Sequence, residues 1–184
     1  MALAAYIAPT SLAEATSALA ENEGARLLAG GTDLLVDLKT GRQSFAQLVS
    51  INRIDALRGV SELAGGVRIG ALTTVTQLER TPVVRERFAA LLDATSKMAA
   101  PQVRNAATVG GNIASAVPCA DLPPILTAMN ASLVLWSPKG QRNVPLETFF
   151  RGARETILRG DEVLTGALIP RLPPTFGAAY ARFG

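Results

Sequence analysis

Histidine is absent from this 184-residue sequence, and cysteine occurs once, as Cys119. Without histidine the chain cannot build a Ser-His-Asp triad or a histidine-containing metal site, and it cannot attach a cofactor through an imidazole. One cysteine cannot form an internal disulfide, and it cannot hold an iron–sulfur cluster or a zinc ion by itself. We therefore expect a bound cofactor, rather than side chains, to carry any chemistry here.

The excess of one sign of charge is also small, because 18 basic and 15 acidic side chains leave a formal net charge of +3. The basic residues are scattered, in pairs such as Arg85/Arg87, which argues against nucleic-acid binding. No apolar run reaches the ~18 residues of a membrane helix, and no basic segment precedes an apolar one at the N-terminus. We predict neither a membrane span nor a secretory signal, and we expect a cytoplasmic location, which an unpaired cysteine suits.

What the sequence does contain is aliphatic: 48% of residues are hydrophobic and only 5% are aromatic. This composition predicts a globular protein with an aliphatic core. Residues 1–57 show strand and helix patterns typical of a small β-α-β lobe, and the pattern changes near Gly59, so residues 58–184 are predicted to form a second lobe. There, a helix that begins at Thr81 and Pro82 is predicted to run to Thr95.

Two glycine pairs follow apolar segments, Gly30-Gly31 in LAGGTDL and Gly110-Gly111 in ATVGGNI. Such a turn before a helix accommodates positive φ, admits a ligand close to the backbone, and leaves N–H groups free to bind phosphate. Thr32 can add a hydroxyl donor, whereas the Asp33 carboxylate is expected to cap the helix or to face cofactor hydroxyls. Neither pair matches the dinucleotide or P-loop spacing, so plain turns without a ligand stay open as the other explanation.

The order of several segments carries a resemblance across nearly the whole chain, from Tyr6 to Tyr180. The segments are LLAGGTDLL, VSINRIDALRGV, IGALTTVTQLE, ATVGGNIASAVPCADLPPILTAMNA, GQRNVPLETFFRGARETIL and EVLTGALIP. Together they resemble the FAD-binding medium subunit of molybdenum hydroxylases, the xanthine dehydrogenase and carbon monoxide dehydrogenase family. The resemblance implies an α+β, PCMH-type fold in which FAD lies between a small βαβ lobe and a larger lobe with a mixed sheet.

The resemblance also implies which residues bind FAD. The first group, around the pyrophosphate, is Leu28, Ala29, Gly30, Gly31, Thr32, Asp33 and Leu34. The second group is Ala107, Thr108, Gly110, Gly111, Asn112, Ser115 and Asp121, with Asp121 facing ribityl or ribose hydroxyls. Ala71 takes a close-approach position, Leu164 an apolar contact with the flavin ring, and Arg182 the place of a lysine that often contacts the cofactor. No catalytic or metal-binding residue is implied in this chain.

The function implied is that of an oxidoreductase subunit. It would bind FAD non-covalently and pass electrons from two [2Fe–2S] clusters of a small partner subunit to an external acceptor. A large partner subunit would hold the molybdenum cofactor and oxidise the substrate. Cys119 is expected to be a small buried thiol rather than a covalent flavin link.

Family members continue into a further C-terminal domain, so we expect a fragment or a shortened subunit with part of the flavin covering missing. Two other functions stay open. One is a non-redox subunit that keeps the fold with weak or no FAD binding, and the other is a stand-alone flavin oxidase.

Overall fold

A parallel sheet of three strands forms the first part of the chain, in a computed structural model that describes residues 3–182. The two lobes predicted from sequence begin at Met1 and end at Gly184. Their terminal residues, Met1, Ala2, Phe183 and Gly184, lie outside the described residues. The elements are β1 (Leu3–Ile7), α1 (Leu12–Glu21), β2 (Ala25–Leu28), α2 (Leu34–Lys39) and β3 (Phe45–Ser50). The strand order is β1-β3-β2, with both pairs parallel, so β3 lies at the centre.

Local sequence explains the two helices of this small lobe. The Ser11 hydroxyl accepts a hydrogen bond from the Glu14 N–H at the start of α1, as an N-cap residue does. Ala15 and Ala18 are buried, so α1 packs closely on the sheet. The second helix follows Gly31, whose φ of +74° is the left-handed conformation that glycine adopts at least cost.

The rest of the chain builds an antiparallel sheet covered by helices. Its strands are β4 (Val60–Leu63), β5 (Gly66–Gly70), β6 (Ser132–Ser137), β7 (Gly140–Pro145) and β10 (Val163–Pro170). Between β7 and β10 the chain forms a separate hairpin of β8 (Phe150–Gly152) and β9 (Glu155–Thr156). The order in the main sheet is β4-β5-β10-β6-β7, and every pair is antiparallel. The last strand therefore lies in the middle of the sheet.

Six short helices connect β5 to β6. They are α3 (Val75–Arg80), α4 (Pro82–Arg87), α5 (Ala89–Lys97), α6 (Pro101–Ala106), α7 (Val109–Ala114) and α8 (Leu122–Ala128). Their buried side chains, such as Leu91 and Leu126, form one core with Ile69 and Leu133 of the sheet. This core fixes α7 and α8 on one side of the molecule, where the second glycine pair lies.

The α+β class is confirmed, and two details differ from expectation. The second sheet is antiparallel throughout rather than mixed. The helix predicted from Thr81 to Thr95 is broken at Phe88, where φ is −128° and ψ is 56°. Phe88 leaves the helical conformation and buries its ring, so that α4 and α5 can each turn an apolar face toward the core. The boundary at residue 57 stays a prediction.

Candidate cofactor-binding cleft

A cleft of about 760 Å³ lies between the two sheets, and both glycine pairs line it. The segment that follows β2 forms one wall, and α7 with the start of β10 forms the opposite wall. This volume falls within the ~300–1,000 Å³ typical of small-molecule and cofactor sites. The two groups of residues predicted from sequence therefore face one space.

The first glycine loop presents free backbone donors to this cleft. Leu35 donates to the Gly31 carbonyl at 3.0 Å as α2 begins. Within residues 3–182, the four N–H groups of Gly30–Asp33 have no protein acceptor. Consecutive unpaired N–H groups beside a cleft form a concave anion site, which suits a phosphate or pyrophosphate.

The Asp33 side chain does not cap α2, so that part of the expectation is wrong. Its backbone carbonyl instead accepts the Asp37 N–H at 2.9 Å, and the residue lines the cleft. The other expectation, an Asp33 carboxylate that faces cofactor hydroxyls, stays a prediction.

The second glycine pair works differently, because its donors are satisfied within the protein. Val109 donates to the Thr73 carbonyl at 3.0 Å, and Gly110 donates to the Ala71 carbonyl at 2.8 Å. The Gly111 N–H bonds the Thr108 hydroxyl at 3.1 Å. The prediction of free N–H groups at both pairs is therefore wrong for this one, because the carbonyls of Ala71 and Thr73 and the Thr108 hydroxyl accept the N–H groups that the first turn of α7 leaves unpaired.

The two glycines of the second pair differ in the space around them. A Cβ on Gly110 would lie 2.6 Å from the Ala71 Cβ, so this glycine is required by protein packing. A Cβ on Gly111 would meet only the Thr108 hydroxyl, at 2.8 Å, and would otherwise project into open space. Gly30 resembles Gly110, because a Cβ there would overlap the Ala106 carbonyl oxygen where the two lobes touch.

Three polar side chains that line the cleft are already engaged in hydrogen bonds within the protein. The Asn112 amide oxygen accepts the Leu122 N–H at 3.2 Å and so positions α8. The Asp121 carboxylate accepts the Tyr180 hydroxyl at 2.8 Å. Burial, together with this bond, raises the pKa of Tyr180 above its ordinary value. The Arg182 guanidinium donates to the Lys97 carbonyl at 2.8 Å.

Nearly all of the predicted site residues come together here. Those that line the cleft are Ala29, Gly30, Gly31, Thr32, Asp33, Leu34, Ala71, Ala107, Thr108, Gly110, Gly111, Asn112, Ser115, Asp121, Leu164 and Arg182. Leu28 does not line it and packs instead against Leu38 and Phe45. Whether each residue contacts FAD stays a prediction.

Other lining residues escaped the sequence analysis. Most of them lie in loops, and Val103 lies in α6: Met98, Ala99, Val103, Val117, Leu158, Arg159, Gly160 and Glu162. Cys119 is exposed, so the expectation of a buried thiol is wrong; it lies in the loop between α7 and α8, at the cleft surface. Ala99 has a φ of 42°, a strained value for a residue with a Cβ, and only coordinates can reveal it.

A charged pair supports the wall that β10 provides. Arg142 contacts Glu162 through two hydrogen bonds, Nε to Oε1 at 2.6 Å and Nη2 to Oε2 at 2.8 Å. The Arg159 N–H also donates to the Glu162 carboxylate, at 2.9 Å. The bonds from Arg142 hold the pKa of Glu162 below its ordinary value of 4.5.

The described residues also bear on metal binding and on membrane helices. Residues 3–182 contain no group of three or more His, Cys, Asp and Glu side chains placed to hold a metal ion. None of the helices in that range is long and apolar enough to cross a membrane. The cleft thus combines free N–H donors, an open glycine face and apolar walls, which fits a flavin dinucleotide.

Comparison with known proteins supports this fit. Residues 2–172 match the family described as "FAD binding domain in molybdopterin dehydrogenase". The chain is 39% identical over 178 residues to the carbon monoxide dehydrogenase medium chain of Hydrogenophaga pseudoflava, covering 96% of this chain and 62% of that protein. It is 37% identical over 182 residues to a putative xanthine dehydrogenase FAD-binding subunit of Escherichia coli K12, covering 98% of this chain and 62% of that one.

Solved structures agree with the sequence relatives. Carbon monoxide dehydrogenase from Hydrogenophaga pseudoflava superposes with a TM-score of 0.91 at 38% identity, over 94% of this chain and 61% of that one. Quinoline 2-oxidoreductase from Pseudomonas putida 86 gives a TM-score of 0.88 at 31% identity, over 92% and 59%. The chain thus spans about three fifths of the length of these relatives. The chain belongs to the family of FAD-binding domains of molybdopterin dehydrogenases.

Proposed function

We propose that FAD binds non-covalently in this cleft and that the chain forms part of the electron-transfer subunit of a molybdenum hydroxylase. The single observation that carries the proposal is the set of free N–H groups at Gly30–Asp33, a segment that lines the same cleft as Gly111. These donors suit the pyrophosphate, which carries the negative charge of the cofactor.

The other predicted residues would then shape the two ends of the site. Thr32 can donate its hydroxyl to a phosphate oxygen, and Gly111 and Ala71 keep the backbone close to the cofactor. Leu164, which is buried at the start of β10, supplies an apolar surface for the flavin ring. Asp121 can accept a cofactor hydroxyl through the oxygen that Tyr180 does not use.

Bound FAD supplies the capacity to accept electrons from one partner and to pass them to another. The chain itself binds and orients the cofactor and excludes water from part of its surface. We infer that a small iron–sulfur subunit delivers the electrons and that a large molybdenum subunit oxidises the substrate, as the medium-chain names of relatives suggest. We also infer a cytoplasmic location, with which a single cysteine agrees.

Titration of the purified chain with FAD tests the proposal, with quenching of flavin fluorescence as the signal. We expect saturable binding to one site, yellow protein after gel filtration, and release of unmodified FAD on denaturation. A chain that shows no saturable quenching, alone or with its large and small partner subunits, contradicts the proposal. That result would favour the fold-retaining subunit without a redox role.

A further inference from the structure

We propose that an ion pair between Asp37 and Arg154 ties the two walls of the cleft together and positions them for FAD. The inference rests on the proposed function, because the cleft is taken as the FAD site. Neither residue lines the cleft, so both act through the segments that they hold. They lie 117 positions apart in the chain, one in α2 of the small lobe and one in the turn between β8 and β9.

The small-lobe side of the pair is a buried carboxylate. The Asp37 side chain is only 6% exposed, and its Oδ2 accepts Arg154 Nη1 at 2.8 Å. Gln43 donates to the same oxygen at 3.2 Å, and Arg42 approaches the other oxygen at 3.8 Å. A carboxylate removed from water needs such a charged donor, so the lobes gain stability when Arg154 reaches it.

Asp37 is also joined directly to the first glycine loop. Its backbone N–H donates to the Asp33 carbonyl at 2.9 Å, and Asp33 is one end of the run of free donors. A movement of Asp37 toward or away from Arg154 therefore moves the loop that faces the pyrophosphate.

On the large-lobe side, Arg154 is held in an unusual backbone conformation. Its φ is +60°, which non-glycine residues adopt only at a cost, and its N–H donates to the Ala116 carbonyl at 2.7 Å. Ala116 lies between Ser115 and Val117, which both line the cleft. Downstream of Arg154, residues 158–160 line it as well. Arg154 thus links α2, through Asp37, to residues 115–117, through Ala116, and it lies four positions before the lining residues 158–160.

Binding measurements on the full chain test this role. The variants are Arg154→Met, Asp37→Asn, the double variant, and Arg154→Lys. Two matched controls keep the cleft link intact: Arg42→Met removes a cation that contacts Asp37 from its own lobe, and Arg87→Met removes an exposed 2.8 Å pair with Glu62 within the large lobe. For each protein the FAD Kd is measured by fluorescence quenching, and the Tm is measured without FAD.

We expect Arg154→Met and Asp37→Asn each to raise Kd about tenfold, the effect of losing roughly one charge-assisted hydrogen bond. The double variant binds no more weakly than either single variant, Arg154→Lys binds closer to wild type, and both controls stay within about twofold. A loss of packing alone would lower Tm without this coupling in Kd. Because Arg154→Met leaves the buried Asp37 carboxylate without this charged donor, we expect its Tm to fall as well, whereas Arg154→Lys keeps a cation beside Asp37 and so tests the link in a more stable protein.

An Arg154→Met protein with the wild-type Kd, or single effects that add up in the double variant, overturns the inference and leaves the proposed function standing. If the wild-type chain itself fails to bind FAD, the proposed function is what fails, and the pair loses its role with it.

Discussion

At the scale of single residues, the four glycines of the two pairs have three different tasks. Gly31 adopts a φ of +74°, whereas Gly30 and Gly110 are needed because neighbouring backbone or side-chain atoms leave no room for a Cβ. Gly111 alone borders open space, apart from the Thr108 hydroxyl. Substitutions at these positions should therefore separate protein folding from cofactor binding.

Replacement of Gly31 by alanine should weaken FAD binding at least tenfold, because a left-handed alanine distorts the loop of free donors. Gly41 is the matched control, since its φ is +71° and a Cβ there meets nothing within 4 Å. The left-handed backbone costs about 1–2 kcal/mol of stability at either position. The Cβ of Gly31→Ala would also meet Leu35 Cδ1 at 2.8 Å, so we expect the larger loss of stability there. Fluorescence titration and thermal unfolding measure the two effects, and equal Kd values for the two variants would contradict our placement of the pyrophosphate.

A second pair of substitutions distinguishes packing from binding at α7. Gly110→Ala forces a Cβ against Ala71 at 2.6 Å and should lower Tm markedly. Gly111→Ala should lower Tm less than Gly110→Ala, because its Cβ meets only the Thr108 hydroxyl, which has to shift, and it should raise the FAD Kd because Gly111 lines the cleft. The same two assays apply, and a Gly111→Ala protein that retains wild-type affinity shows that FAD does not approach this helix.

At the scale of elements, the Arg142–Glu162 pair joins β7 to the residue that precedes β10, although β6 lies between these two strands. The Glu162 side chain is 3% exposed, so removal of its guanidinium partner leaves Oε1 without a donor, while Oε2 keeps only the Arg159 N–H. Arg142→Met should lower the free energy of unfolding by about 1–3 kcal/mol. Denaturant unfolding at pH 7 measures this loss.

The pH dependence of that loss has a definite sign. The pKa of Glu162 is lower in the folded protein than its ordinary value of 4.5, so the pair contributes full stability above pH 4.5. The contribution disappears as the pH falls through the folded pKa. The stability difference between wild type and Arg142→Met should therefore shrink below pH 4.5, and a difference that is constant down to acid unfolding would contradict the assignment.

How much can be predicted from the sequence differs between the secondary-structure elements and the candidate cofactor site. Periodicity predicts α1, β2 and β10 because their apolar faces are local patterns. It misses the break at Phe88, since only the position of the core decides that a buried ring should interrupt a helix. It also fails to predict the ion pair of Arg154, because nothing in the sequence around this residue indicates a partner 117 positions away. The residue type predicts a buried Cys119, but its loop lies at the cleft surface.

At the scale of the whole molecule, FAD should stabilise both lobes together because its site is built from both. At a free concentration 100 times Kd, one-site linkage adds about 2.7 kcal/mol. For a domain of this size that corresponds to a rise in Tm of about 5–11 °C. FMN, which lacks the adenylate and the pyrophosphate, is the control ligand and should shift Tm less. A rise that does not saturate with FAD, or one that FMN matches, would contradict a site that spans the cleft.

The position of β10 also has a consequence for synthesis of the chain. The small-lobe sheet is complete once Ser50 has emerged from the ribosome, but the central strand of the second sheet comes from Val163–Pro170. Until then β5 and β6 expose unpaired edges toward a gap, which is the state most prone to aggregation. The cleft wall at Leu164 forms with that same strand, so the cofactor is acquired only after translation has passed it.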